Sequence, residues 1–104
     1  MTDLLEGKVA WVTGSSRGIG AAIAAALAQE GAAVAVHGRD AEAAAAVRDR
    51  IVAAGGRATV VLGDVTEPDD IERMVAEVES QLGPIDVLVA NAGATRCVPD
   101  CLGT

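Results

Sequence analysis

A chain of 104 residues has room for a single domain and is small for a complete nucleotide-dependent enzyme. Half of it is hydrophobic (51%), yet Trp11 is the only aromatic residue. The core must therefore rest on Ala, Val, Ile and Leu, which suits a buried parallel sheet under Ala-rich helices. A formal net charge of −7 repels nucleic acid and anionic membrane surfaces, and no stretch approaches a membrane span, so neither is expected as a partner.

Met1-Thr2-Asp3-Leu4-Leu5-Glu6 carries acids and lacks the apolar centre of a signal peptide, and a cytoplasmic location is expected. Lys8 to Thr13 reads as a first strand, and it runs straight into Gly14-Ser15-Ser16-Arg17-Gly18-Ile19-Gly20. Gly18 to Glu30 reads as a helix ended by Gly31; it is almost entirely apolar and is expected to be buried rather than amphipathic. Ala33 to His37 is a second strand. Asp40 stands where an N-cap belongs, before a helix from Ala41 to Ala54 whose stripe is Ala44, Val47, Ile51 and Ala54.

Arg57 to Leu62 is a third strand, with Gly63-Asp64-Val65 at its exit. Thr66 is expected to cap a third helix, with Pro68 and Asp69 in its first turn and Ile71, Val75, Val78 and Leu82 as its apolar face. The acids Glu67, Asp69, Asp70, Glu72, Glu77 and Glu79 then form its solvated side. Gly83-Pro84 stops that helix, Ile85 to Ala90 is a fourth strand, and Asn91-Ala92-Gly93 is its exit turn. Residues 97–104 show no helical period and read as an irregular tail, in which Cys97 and Cys101 are neither a C-x-x-C redox pair nor half of a zinc site. They read as free thiols, with a disulfide-linked dimer on air exposure as the sharper alternative.

Strands alternating with helices over short connections imply an α/β fold with a parallel sheet and right-handed crossovers. In a doubly wound (Rossmann) sheet the four strands take the order 3-2-1-4, with three helices and a topological switch between strands 1 and 4. Ligands bind at that switch, beyond the carboxyl ends of the strands, where both Gly14–Gly20 and Asn91–Gly93 fall. Three glycines at this spacing let the backbone turn sharply and approach a pyrophosphate, and the helix that follows offers free N–H groups and a positive dipole end.

Together these residues resemble the classical short-chain dehydrogenase/reductase family, and within it the bacterial 3-oxoacyl-carrier-protein reductases. Thr13-Gly14-x-x-x-Gly18-x-Gly20 matches the family's cofactor signature, Asp64-Val65 its adenine-contacting acid, and Asn91-Ala92-Gly93 most of its Asn-Asn-Ala-Gly element, with Ala90 in place of the first Asn. The resemblance implies that residues 1–96 are the N-terminal half of an NAD(P)-binding Rossmann domain. The implied cofactor-binding set is Gly14, Ser15, Ser16, Arg17, Gly18, Ile19, Gly20, Arg39, Asp64, Val65, Asn91, Ala92 and Gly93. An NAD-preferring site ends its second strand with a carboxylate for the ribose 2′-OH. By family spacing that position is Gly38, followed by Arg39, while Asp40 comes too late and has a helix to cap. Arg39 and Arg17 could flank a 2′-phosphate instead, so NADP(H) is expected over NAD(H).

The family reduces carbonyls or oxidises alcohols by hydride transfer, using a Ser and a Tyr-x-x-x-Lys element. This chain has no Tyr, and its one Lys is Lys8, so that element is absent in every register. No catalytic residue and no metal site is expected. His37, the only histidine, reads as a strand-terminal filler or a cofactor-edge contact rather than a base. The leading expectation is an NADP(H)-binding fragment that is not catalytic alone. The alternatives are a module that senses or sequesters the nucleotide, and a partner that pairs through its fourth strand. In the whole family fold that strand is central; here it is expected as an apolar edge that invites self-association.

Overall fold

In the computed structural model, which describes residues 4–91, four strands and three helices alternate along the chain. Strand β1 is Val9–Val12, α1 Gly18–Gln29, β2 Ala33–Gly38, α2 Ala41–Ala53, β3 Arg57–Leu62, α3 Pro68–Gln81 and β4 Val87–Val89. The strands form one parallel sheet in the order β3-β2-β1-β4, the doubly wound order read from the sequence. Val12 sits opposite Val36 on one side and Val89 on the other, so β1 is the central strand that both arms share.

Side chains alternate across a strand, and here both faces are covered. Ala10, Val12, Val34 and Val36 pack against Ala21 and Ala24 of α1 and Ala44, Val47 and Ile51 of α2. Val9, Trp11, Ala35 and Val61 face the other way, onto Met74 and Val78 of α3. Every residue of β1 and β2 is buried, which explains why both strands read as unbroken apolar runs. Burying Met74 and Val78 stabilises the docking of α3 by about 1.5–3 kcal/mol per side chain.

Several local expectations are corrected. Helix α1 is not buried all round: Gly20, Ala21 and Ala24 are buried, while Ile19 is 74% exposed, because the described residues cover only one flank of the helix. Thr66 does not cap α3. The N-cap position is Glu67, which makes no side-chain cap bond, and the Thr66 amide and hydroxyl donate to Asp64 Oδ1 at 2.8 and 2.6 Å. On α3 Met74 takes the central buried place and Ile71 stays exposed; Ala54 is likewise exposed, just past the end of α2. Asp40 does cap α2, its Oδ1 accepting from the amides of Glu42 and Ala43.

Strand β4 is shorter than its apolar run because Asp86 replaces the first ladder contact with its side chain. Its Oδ2 accepts from the Val9 amide at 2.9 Å, and its own amide donates to the Val9 carbonyl at 2.8 Å. Among the described residues β4 has a strand on one side only, and Leu88 is 58% exposed. No helix among the described residues is long and apolar enough to cross a membrane. The tail and its two cysteines lie outside the described residues.

Candidate functional site

The connection from β1 to α1 turns over the carboxyl end of the sheet, at the point where the order reverses between β1 and β4. Gly14 (φ 64°) and Gly18 (φ 63°) hold left-handed backbone that other residues adopt only with strain. Gly20 serves differently, since its backbone is ordinary and its need is for space. A Cβ there would collide with the Gly14 carbonyl and stand 2.7 Å from Asn91 Nδ2. Around Gly18 a Cβ would meet nothing within 4 Å, so this side of the loop is open to a ligand. Helix α1 begins without a side-chain cap at Arg17, which leaves its first amides and positive dipole end facing that opening.

The loop is fastened from three strands. From β4, the Asn91 amide donates to Thr13 Oγ1 (2.8 Å) and Asn91 Nδ2 to the Gly14 carbonyl (3.1 Å), while the Thr13 amide donates to the Val89 carbonyl (3.0 Å). From β1, the Val12 carbonyl accepts from Ser15 Oγ at 2.6 Å. From β2, His37 takes both remaining ends: its amide donates to Ser15 Oγ and its carbonyl accepts from the Ser15 amide, each at 2.8 Å. The Gly14 amide donates to His37 Nδ1 at 2.7 Å.

Charge gathers on the outer rim. Arg17 pairs with Asp40 at 3.3 Å and Arg39 with Asp64 at 3.1 Å, and both arginines are 73% exposed at the side chain. The Thr66 hydroxyl and amide, with a smaller contribution from the Arg39 guanidinium, hold the Asp64 carboxyl below its ordinary value. Asp64 is itself anchored, its amide donating to Asp70 Oδ2 at 2.9 Å. Exposed pairs of this kind are weak, so either arginine can exchange its partner for a stronger anion.

The expected set therefore converges, with differences in what each residue can offer. Gly14, Ser16, Arg17, Gly18, Ile19 and Gly20 line the turn, Arg39 and Asp64 meet at the exits of β2 and β3, and Asn91 braces the turn from β4. Ser15 is fully buried and its hydroxyl is taken up inside the protein, so it shapes the loop rather than presenting a polar group. Val65 packs at the edge of the α3-side core. Ala92 and Gly93 lie outside the described residues. A Cβ on Gly38 would stand 2.7 Å from Ser16 Oγ, so a larger residue at the end of β2 would need Ser16 to move.

Sequence reasoning undervalued two residues. Thr13 appeared only as part of a motif, whereas its hydroxyl receives the Asn91 amide. His37 is 4% exposed, and a buried imidazole needs partners; its place in a wholly buried strand was the available signal. The pattern could not say which groups those were.

A family model described as short chain dehydrogenase matches residues 8–101. An uncharacterized oxidoreductase of Methylorubrum extorquens is 52% identical over 90 residues, covering 86% of this chain and 36% of that protein. A 3-oxoacyl-[acyl-carrier-protein] reductase of Staphylococcus aureus is 48% identical over 90 residues, covering 86% and 37%. Among solved structures, a metagenomic short-chain oxidoreductase in complex with NADP superposes with a TM-score of 0.76 at 48% identity, over 81% of this chain and 38% of that one. The chain thus spans a little over a third of the length of each of these three.

Proposed function

Because the chain belongs to the short-chain dehydrogenase family, we propose that it is the dinucleotide-binding portion of an oxidoreductase and takes NADP(H) in preference to NAD(H). The observation that carries this reading is the uncapped first turn of α1, opened by Gly14 and Gly18 at the reversal of the sheet. Backbone amides aimed outward with no Cβ in the way are what a pyrophosphate needs. Support for the 2′-phosphate comes from Gly38, which supplies no carboxylate at the end of β2, and from Arg17 and Arg39 on the rim. Each arginine is held only by an exposed, weak pair, and a phosphate offers bidentate, charge-assisted bonds in exchange. Asp64 Oδ2, released when Arg39 turns away, is then free to accept from the adenine amine.

When bound, the reduced nicotinamide would supply hydride for carbonyl reduction, and the oxidised ring would accept hydride in the reverse. This chain holds and orients the cofactor but has no Tyr to move the proton, and Lys8 precedes β1, a strand's length from the site. The 104 residues therefore bind without turnover, in the cytoplasm. Trp11 reports the test, being the only indole and lying on the strand that feeds the loop. NADPH should quench its emission by energy transfer, and Arg39→Ala should weaken NADPH by about tenfold or more. NADH should change by less than about twofold, since only an exposed pair is lost. Equal loss for both cofactors overturns the 2′-phosphate assignment.

Leu88 favours a second reading. An apolar residue 58% exposed on an edge strand suits pairing with a full-length relative or a second copy, which co-purification with such a relative would reveal.

A further inference from the structure

We propose that His37 is the positioning residue of the Gly14–Gly20 loop: in its neutral Nε2–H form it ties Gly14 to the exit of β3, and cofactor affinity depends on that tie. The dependence of affinity rests on the dinucleotide reading above, whereas the tie does not.

The tautomer follows from donor and acceptor logic. A backbone amide can only donate, so the Gly14 N–H at 2.7 Å requires a bare Nδ1. The ring proton is then on Nε2, which donates to the Gly63 carbonyl at 2.8 Å. Turning the ring over would set carbon against both partners and lose both bonds together, so the placement of the nitrogens is determined by the partners. With both nitrogens occupied and the residue 4% exposed, His37 has no lone pair or proton left for a substrate and acts on the reaction only through the loop.

The tie reaches further than one bond. His37 holds Gly14 through its ring and Ser15 through both of its backbone groups. The Gly14 carbonyl is held from the opposite side by Asn91 Nδ2. The peptide groups flanking Gly14 are thereby oriented from β2 and β4 at once, and the amides that follow inherit their aim from them. Trp11 meets the imidazole edge-on, with centroids 6.5 Å apart and planes at 80°, and restricts the ring from the α3 side of the sheet.

The 104-residue chain carries one histidine, so its ring nitrogens can be read by ¹⁵N NMR without assignment ambiguity. The Nε2–H tautomer, with Gly14 as donor to Nδ1, is the expected result without any ligand. An Nδ1–H tautomer, or a Gly14 amide that exchanges freely with solvent, overturns the proposal. The second arm uses NADPH. His37→Asn places an acceptor where Nδ1 stands and should retain most of the affinity. His37→Gln keeps the reach to Gly63 but loses Gly14 and should bind about tenfold more weakly.

A His37→Gln chain that binds NADPH as tightly as His37→Asn overturns the proposal. If neither variant folds, the wild-type NMR result decides the tie. A chain with the expected tautomer that binds no dinucleotide would sink the cofactor reading and leave the tie standing.

Discussion

Gly20→Ala separates glycine needed for space from glycine needed for conformation. The added methyl would lie 2.9 Å from the Gly14 carbonyl carbon, closer still to its oxygen, and 2.7 Å from Asn91 Nδ2. Ordinary carbon contacts begin near 3.5 Å, so the loop must swing away or α1 must retreat by most of an ångström. Overpacking of that order costs about 1–3 kcal/mol. Displacing the Gly14 carbonyl also loses its bond from Asn91, about another 1 kcal/mol. Alanine's helix propensity returns at most about 1 kcal/mol. The net is about 2 kcal/mol, or a Tm lower by about 10 °C in a domain of this size.

Gly18→Ala is the control. Its Cβ enters open space, so only the left-handed backbone is penalised, by about 1 kcal/mol. Thermal unfolding followed by circular dichroism gives both values. A Gly20→Ala chain as stable as wild type, or less affected than Gly18→Ala, refutes the packing argument.

Asp64 gives a pH signature. Its carboxyl is held below the ordinary value of 3.8 in the folded protein, so it contributes stability that is present above that value and lost as pH falls through the folded one. Asp64→Asn should be less stable than wild type in urea at pH 6, and the gap should close on acidification below about pH 4. A gap that persists unchanged through that range contradicts the assignment. At the edge strand, Leu88→Glu should shift sedimentation toward monomer if β4 mediates self-association, by adding charge to an apolar edge; unchanged sedimentation, in a wild type that does associate, removes that role.

Strand order, helix count and the meeting of Gly14–Gly20 with Asn91 were legible because they depend on alternation and glycine spacing, which are local, whereas Arg39 and Asp64 were placed by the family resemblance. The corrections mark where local pattern stops. Ile19 and Ile71 are apolar and in phase, yet exposed, because periodicity gives a face without saying what lies against it. Thr66 has the chemistry of a cap, but Asp64 two residues earlier competes for its donors and wins with a carboxylate. Ile85 and Ala90 extend the apolar run of β4 past its pairing, where Asp86 and Asn91 take over with side chains. His37 was hardest to read, since its partners Gly14 and Gly63 are brought to it by two crossovers.

The strand order also dictates a sequence of assembly. β1, β2 and β3 are laid down outward from one another, each crossover closing a loop of about two dozen residues. β4 must then return across the first strand, and the bonds that join Thr13 and Gly14 to Val89 and Asn91 link residues 76 to 78 positions apart. Closing the widest loop comes late in such a topology. On a ribosome, Gly14 emerges early and waits for Asn91 before its carbonyl has a partner. The loop that leaves the first strand is among the last pieces of the chain to become a site.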